Sequence, residues 1–517
     1  MVELTSIIPT IQILLSKNQI YILQGALYCK GQGLNPGDLN GIYGIETGNA
    51  VKLFKTYAGL SSPSTTATAE VMQALLNTDA YTLLANGDSN IRTIQQDLNN
   101  KYHTEIGLIP CDGVYSRRTN RALISGLQFE ERKEDGFENT VVDGIWGDTT
   151  MNRCPTLRRY GTVTNKNYVY ILQYALYVNG YDPNGFDGGF GAGVDSAVKK
   201  FQSFVGLTSD GIVGKSTWAS LLVSYGDKTR KGTACDCMTP LTEATANTLV
   251  ANGRTAVGRY LTGGLNKRLS EEELAIIHDT GLRLIPIYQT TNNRASYFSA
   301  NKGKRDAYYA YYALVNFKIP SGTIVYFAVD YDATEAEVES NIIPYFKSIY
   351  DTFDEINMHG YKIGIYGPRY VCTLVREAGY SVSSFVCDMS SGFLCNIGHT
   401  LPSDWAFDQI HTLTIGSGSG EIEIDNDIAS GRNLGCLVDS EADFTITESD
   451  NEAARLAKIQ EILQAHNIDI NAFGFGFDYE RKYTVVDLGV VKASYIVSGR
   501  LYPLQRVRDK YQTILTQ

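Results

Sequence analysis

The first 230 or so residues repeat themselves, and this limits the fold more than any single motif does. Ile20–Tyr28 returns as Tyr168–Tyr177, with a weaker copy at Ile91–Leu98. Each copy is followed by a tight turn, at Asn40–Gly44, Asp112–Ser116 and Asp187–Gly191, and the turn glycines 41, 113 and 188 lie 72 and 75 residues apart. A short helical pattern comes next: Thr47–Phe54, Thr119–Ile124 and Val194–Gln202. Two copies carry a second turn, Asp143–Thr149 and Asp210–Trp218; the first has Ser61–Thr66 instead. Asp or Asn before Gly makes a turn whose glycine accepts positive φ. The Leu-Gln-x-x-Leu and Ala-Val-x-x-Phe spacings are the i, i+3, i+4 stripes of short amphipathic helices. Each copy therefore reads as about 70 residues of three short helices around a small core.

This pattern resembles the peptidoglycan-binding domain found beside bacterial cell-wall hydrolases, over residues 15–225. The third copy matches nearly throughout, the first lacks its second turn, and the second lacks the Phe-Gln step. The resemblance implies attachment to peptidoglycan through the groove of each repeat; the alternative is three-helix spacers that bind nothing. Two phosphate-loop lookalikes fall away. Gly214-Lys215-Ser216 has Ser209 where a P-loop needs its first glycine, and Gly189, Gly191 and Gly193 belong to a repeat turn.

Charge narrows the partners. Lys plus Arg is 45 against 56 Asp plus Glu, a net charge of −11 with no basic stretch, which argues against nucleic acid and anionic membrane surfaces. No apolar run reaches the roughly 18 residues of a membrane span. Met1–Leu15 lacks the basic start and small-residue cleavage site of a signal peptide, so the route of export is not legible. Nine cysteines are too dilute for a disulfide framework. Cys235 and Cys237 have no second thiol pair or nearby His, so no metal or other cofactor is expected. The 34 tyrosines against 3 tryptophans, with 49 glycines, point to polar-ended aromatic surfaces on a turn-rich scaffold.

Eight strand-like runs follow: Thr233–Met238, Thr255–Leu261, Leu282–Gln289, Thr323–Tyr331, Lys362–Tyr366, Ser384–Asp388, Trp405–Ile410 and Glu421–Ile428. Helical patterns separate the first six, among them a capping box at Ser270–Glu273 and longer helices at Lys304–Phe317 and Glu335–Phe353. Strands alternating with helices predict a parallel sheet, and eight of them a TIM-like β/α barrel with functional residues at the strand C-terminal ends. The last connections are too short for full helices. Gly416–Gly420 reads as a flexible loop.

Several strands carry acids at or near their ends: Asp236, Asp330 with Asp332, Asp388, and Asp425 with Asp427. Residues i and i+2 of a strand share a face, so each Asp-x-Asp presents two carboxylates together. Glycosidic cleavage needs such a pair, one to protonate the leaving oxygen and one to remain charged; strand caps and hard-metal sites use the same residues. Tyr260, Tyr288, Tyr366 and Trp405 fall at or near strand ends, where they would stack on sugar rings or pack in the core.

The segment resembles a glycoside-hydrolase-like family of largely unknown function, related to the family 25 lysozymes (N-acetylmuramidases). The matching pieces are Ala234–Asp236, Val257–Leu261, Gly281–Gln289, Ile324–Asp332, Gly364–Gly367, Trp405–Gln409 and Asp425–Asp427. Those lysozymes carry Asp-x-Glu where this chain has Asp330-x-Asp332. The resemblance implies Asp332 as general acid on a side chain one methylene shorter. Asp330 and Asp427 would then orient substrate and stabilise charge, and Asp236 would bond near the acetamido group. Arg259, Tyr260, Tyr288, Gln289, Tyr366, Asp388, Trp405, Gln409 and Asp425 complete the expected glycan contacts.

The organisation expected is multidomain: three small all-α repeats (1–85, 86–160, 161–232), the barrel (233–437), and a small α+β segment (438–517). In that last segment Asp439–Asp450 reads as a linker, and Glu452–His466 and Leu504–Leu515 as helices. The function expected is a bacterial wall-directed muramidase-like hydrolase, placed outside the cell or in the wall and partnered by peptidoglycan or a related glycan. The alternative is a non-catalytic wall-binding protein; a different polysaccharide is a third reading. Oligomeric state is not legible.

Overall fold

The computed structural model describes residues 15–162, 165–264 and 266–438, with the backbone of four short strands between Phe475 and Pro503. The chain divides into two compact units, one ending at Asp227 with Asn396–Thr400 counted in it, the other beginning at Lys228.

The first unit is helical: α1 (Lys17–Cys29), α2 (Ile45–Tyr57), α3 (Ala69–Leu75), α4 (Ser89–Ile106), α5 (Arg117–Arg132), α6 (Asp148–Arg153), α7 (Lys166–Val178), α8 (Ala192–Phe204) and α9 (Lys215–Leu222). Apolar stripes such as Leu23, Leu27, Val51 and Phe54 meet in small cores. One device recurs. Gln24, Gln95, Gln128, Gln173 and Gln202 are buried, and each accepts the N–H of a turn glycine (Gly41, Gly113, Gly144, Gly188, Gly211) at 2.8–3.0 Å. Each returns its amide hydrogens to the Asp or Asn before the glycine and to the carbonyl after it. One side chain thus ties together three polar groups of a turn and pairs the buried glycine N–H. The turn glycines sit at φ 69–80°, where a side chain is strained.

The clamp corrects one sequence expectation. The second copy does not lack its Phe-Gln step: Leu127-Gln128 supply it one residue further along α5, so the fixed spacing missed them. In the first copy Lys55 stands where the third has Gln202, and its ammonium grips the replacement loop at Ser64 Oγ (2.9 Å) and the Thr66 carbonyl (2.7 Å).

The second unit contains a closed eight-stranded barrel: β1 (Ala234–Asp236), β2 (Ala256–Tyr260), β3 (Arg283–Tyr288), β4 (Ile324–Ala328), β5 (Lys362–Gly367), β6 (Ser384–Val386), β7 (Trp405–Ile415) and β8 (Ile422–Ala429). The helices α10 (Glu243–Ala251), α11 (Glu271–Asp279), α12 (Ala300–Asn316), α13 (Glu335–Glu337), α14 (Ile343–Ile356) and α15 (Arg369–Glu377) lie between the first six strands. Strands β1 to β7 run parallel; β8 is antiparallel to both β7 and β1 and closes the ring. The reversal follows from connection length, because the few residues after Ile415 make a hairpin and a parallel crossover needs a dozen or more. A short β9 (Cys436–Leu437) pairs with the start of β3.

Alternation along the strands separates two faces. Ala234, Ala256, Ile285, Ile287, Tyr326, Ala328, Phe385 and Phe407 fill the barrel interior. Cys235, Val257, Leu284, Val325 and Ile365 face the helices. In the C-terminal segment, β10 (Phe475–Asp478) pairs with β13 (Arg500–Pro503), and β11 (Arg481–Asp487) with β12 (Lys492–Val497), all antiparallel. The expected linker Asp439–Asp450 and helices Glu452–His466 and Leu504–Leu515 lie outside the described residues.

Candidate active site

The inward-facing positions at the C-terminal ends of the parallel strands converge on a ring of carboxylates, amides and phenols. Asp236, the last residue of β1, accepts from Tyr260 Oη (3.1 Å) and from Gln409 Nε2 (2.7 Å). The same Gln409 amide reaches Asp425 (3.2 Å), and its carbonyl accepts from Tyr366 Oη at 2.9 Å. Asp425 also accepts from Thr412 Oγ1 at 2.5 Å. Across the mouth, Gln289 Nε2 donates to Asp330 (3.0 Å), and Lys267 Nζ donates to Gln289 Oε1 (2.7 Å) while lying 3.9 Å from the centre of the Tyr260 ring. Gly258 makes room for this arrangement: a Cβ there would come within 2.6 Å of the Asp236 Cβ.

Burial and like charge dominate the electrostatics. Asp236 is almost wholly buried, and desolvation together with Asp425 pushes its carboxyl up to about 7. Asp425 is raised by burial and by Glu423 and Asp330, against Thr412 and His411. Burial lowers the Lys267 ammonium, and Asp330 and Asp236 oppose that. A ring in which one carboxyl is pushed up to about 7 holds a group that can give or take a proton near neutral pH.

Seven of the sequence-predicted residues meet here: Asp236, Tyr260, Gln289, Asp330, Tyr366, Gln409 and Asp425. The other six do not. Arg259 and Tyr288 have the opposite strand parity and face the helices, so they are corrected from glycan contacts to structural residues. Arg259 is fully buried against Glu273 (Nε–Oε1 2.5 Å), and Tyr288 donates to Asp306 (3.0 Å). Asp388 also lies on the outer face, held by Arg369 at 2.6–3.0 Å. Trp405 is buried at the first residue of β7, opposite the first residue of β6, and so sits at the wrong end of the barrel to stack on a sugar. Asp427 faces inward but one level below the ring, because β8 runs backwards and carries Asp425 to the mouth instead. Asp332 lies beyond β4, partly exposed, and accepts the Cys395 N–H at 3.2 Å. The expectation that Asp330 and Asp332 share a face fails because the strand ends at Ala328 and its alternation ends with it.

Sequence reasoning missed Lys267 and Thr412. Lys267 sits beside Arg268 in a turn after β2, a basic pair that carries no motif. Thr412 is hidden by a bulge between Gln409 and His411 that shifts the parity of β7. Among the described residues no group of His, Cys, Asp and Glu is arranged to hold a metal ion.

A closed β/α barrel with acids gathered at its mouth defines a glycoside-hydrolase-like protein, and residues 247–429 match the Rv2525c-like, glycoside hydrolase-like domain. Residues 84–222 match the FadG/YbfG, PGDB-like domain. The chain belongs to the family of FadG and YbfG, two proteins of Bacillus subtilis (strain 168). It is 45% identical to FadG over 425 residues, covering 81% of this chain and 73% of FadG. It is 47% identical to YbfG over 433 residues, covering 81% of this chain but only 58% of YbfG. A shorter stretch of 115 residues is 31% identical to a probable N-acetylmuramoyl-L-alanine amidase of Bacillus licheniformis, covering 22% of this chain and 30% of that protein. Among solved structures, the Tat-secreted protein Rv2525c of Mycobacterium tuberculosis, crystallised with HEPES, aligns at 16% identity and TM-score 0.33, over 40% of this chain and 98% of that one.

Proposed function

We propose that this chain is a bacterial cell-wall glycan hydrolase, held on peptidoglycan by its helical unit and cleaving glycan at the barrel mouth. The observation that carries the reading is the ring of Asp236, Asp330 and Asp425, cross-linked by Tyr260, Gln289, Tyr366 and Gln409. The likeness of one segment to an amidase named for a wall substrate supports the wall as target. The protein then works outside the cell. No helix among the described residues is long and apolar enough to cross a membrane.

In this reading the ring seats the sugar and stabilises charge at the anomeric carbon, while Asp332, at the rim, delivers the proton to the leaving oxygen. Released reducing ends from purified walls test it. Asp332→Asn should lower the rate by about 100-fold or more, and Asp236→Asn and Asp330→Asn should also lower it. Wild-type rates in Asp332→Asn would remove that residue from the chemistry.

One observation favours a second reading, a barrel that recognises glycan without cutting it: Asp332 is engaged by the Cys395 backbone rather than joined to the ring. Retention on insoluble peptidoglycan, with no product by mass spectrometry, would select it.

A further inference from the structure

The barrel mouth is unbalanced in charge and in hydrogen-bonding character. Its side-chain donors are turned on its own acceptors: Tyr260 and Gln409 give to Asp236, Gln409 and Thr412 to Asp425, Gln289 to Asp330, Tyr366 to Gln409 and Lys267 to Gln289. What the ring offers a ligand is chiefly carboxylate oxygen. Beneath it lies Asp427, fully buried and facing inward, whose two oxygens meet no donor among the described residues. Glu423 adds negative charge beside Asp425. Against these stand Lys267, His411 beside Asp425, and Arg254, which acts on Asp427 without a hydrogen bond. Buried carboxylates that exceed their cations are costly unless they keep a proton or a counter-charge joins them.

We infer that the sugar seated at this mouth carries a free amino group, so that the site selects a de-N-acetylated hexosamine unit of the glycan over its N-acetylated form. The inference rests on the glycan-processing reading above and names the substrate class for that site. An acetamido group is neutral, and its carbonyl needs a donor at a site whose donors already serve carboxylates or side-chain amides. An ammonium brings three hydrogens and one positive charge to carboxylates whose neighbouring ammonium, Lys267, is bonded to Gln289 instead. Lys267 is the internal stand-in: its ammonium lies over Tyr260, where Asp236 and Asp330 act on it.

The test is calorimetric titration of the full chain with β-1,4-linked tetrasaccharides, one of glucosamine and one of N-acetylglucosamine. Tetralysine serves as a control, because a chain of net charge −11 attracts polycations generally. The free-amino sugar should bind at least about tenfold more tightly than the acetylated one. Tetralysine should not displace it. Asp330→Asn should erase the preference, and Lys267→Met should strengthen free-amino binding by removing the competing cation, which keeps the test decisive if Asp330→Asn fails to fold. Equal or tighter binding of the acetylated sugar overturns the inference and leaves the glycan-processing reading standing. Displacement by tetralysine, or a preference unchanged in Asp330→Asn, also overturns it. If neither sugar binds and walls are neither retained nor cut, both readings fall.

Discussion

Arg259 separates a structural role from a binding role. The resemblance makes it a glycan contact, but the structure buries it between the barrel and α11. Its Nε and Nη2 pair with both oxygens of Glu273 (2.5 and 3.3 Å), Nη1 donates to the Cys237 carbonyl, and Nη2 also reaches the Lys267 carbonyl at 3.0 Å. Glu273 in turn accepts the Leu241 N–H at 2.8 Å. Both charges are almost entirely out of water. Arg259→Met leaves the Glu273 carboxylate buried with one backbone donor, a loss of about 3–5 kcal/mol for breaking one side of a buried pair. For a unit of this size each kcal/mol moves the midpoint by about 2–4 °C. The barrel transition, followed by calorimetry, should therefore fall by about 6–20 °C. Replacing both partners, as Arg259→Met with Glu273→Leu, should recover most of the loss, because no uncompensated charge remains. A midpoint within about 1 °C of wild type in the single variant, together with lost glycan binding, would refute the structural assignment.

The other predictions concern protons and turns. Because Asp236 binds its proton more tightly folded than unfolded, its contribution is present at low pH and lost as pH rises through about 7. The barrel's stability should therefore fall between about pH 4 and 7, by a few kcal/mol at most, and Asp236→Asn should flatten that slope in a pH series of melts. Glu131, buried with both oxygens unpartnered and pushed up to about 8, has the same sign. Glu131→Gln should raise the midpoint of the helical unit at about pH 9 and change it much less at pH 5. Gln202→Ala leaves the buried Gly211 N–H unpaired and should cost that unit about 1–3 kcal/mol by denaturant unfolding.

The sequence carried the architecture because it is written in periods. Turn-and-stripe repetition gave the helical unit, and alternating strands and helices gave the barrel, with runs that overlap all eight strands. The carboxylate and amide ring was equally legible wherever strand parity holds: Asp236, Gly258 and Tyr260, and Ile285, Ile287 and Gln289, keep one parity and face inward. The same parity applied to Arg259 and Tyr288 already excludes them, since each is one residue out of phase with an inward neighbour. What was hidden depends on departures from period. The β7 bulge brings Thr412 to the mouth, the end of β4 at Ala328 frees Asp332 from alternation, and the one-residue offset in α5 concealed the Gln128 clamp. Trp405 misled for a different reason: residue type suggests stacking, but only strand direction says which end of the barrel it occupies.

Strand direction also reassigns the last pair of acids. Had β8 been parallel, Asp427 would stand nearer the mouth and Asp425 deeper. The hairpin from β7 reverses this, so Asp425 lies level with Asp236 and Asp427 with Ala234. Asp425 thereby joins Asp236 through the shared Gln409 amide and gains Thr412. Asp427 is left among buried groups, raised well above the ordinary carboxylate range by burial and by Asp236 and Asp425. The two acids of one Asp-x-Asp are therefore driven apart in role by two rungs of a strand. The upper one is placed to meet ligand and raises Asp236, and the lower one is itself held protonated by burial and by the two acids above it. Neutralising Asp425 with Asn removes the like charge that raises Asp236. It should therefore lower the Asp236 carboxyl in a pH series of melts and weaken glycan binding, whereas Asp427→Asn should leave the Asp236 titration much as it is.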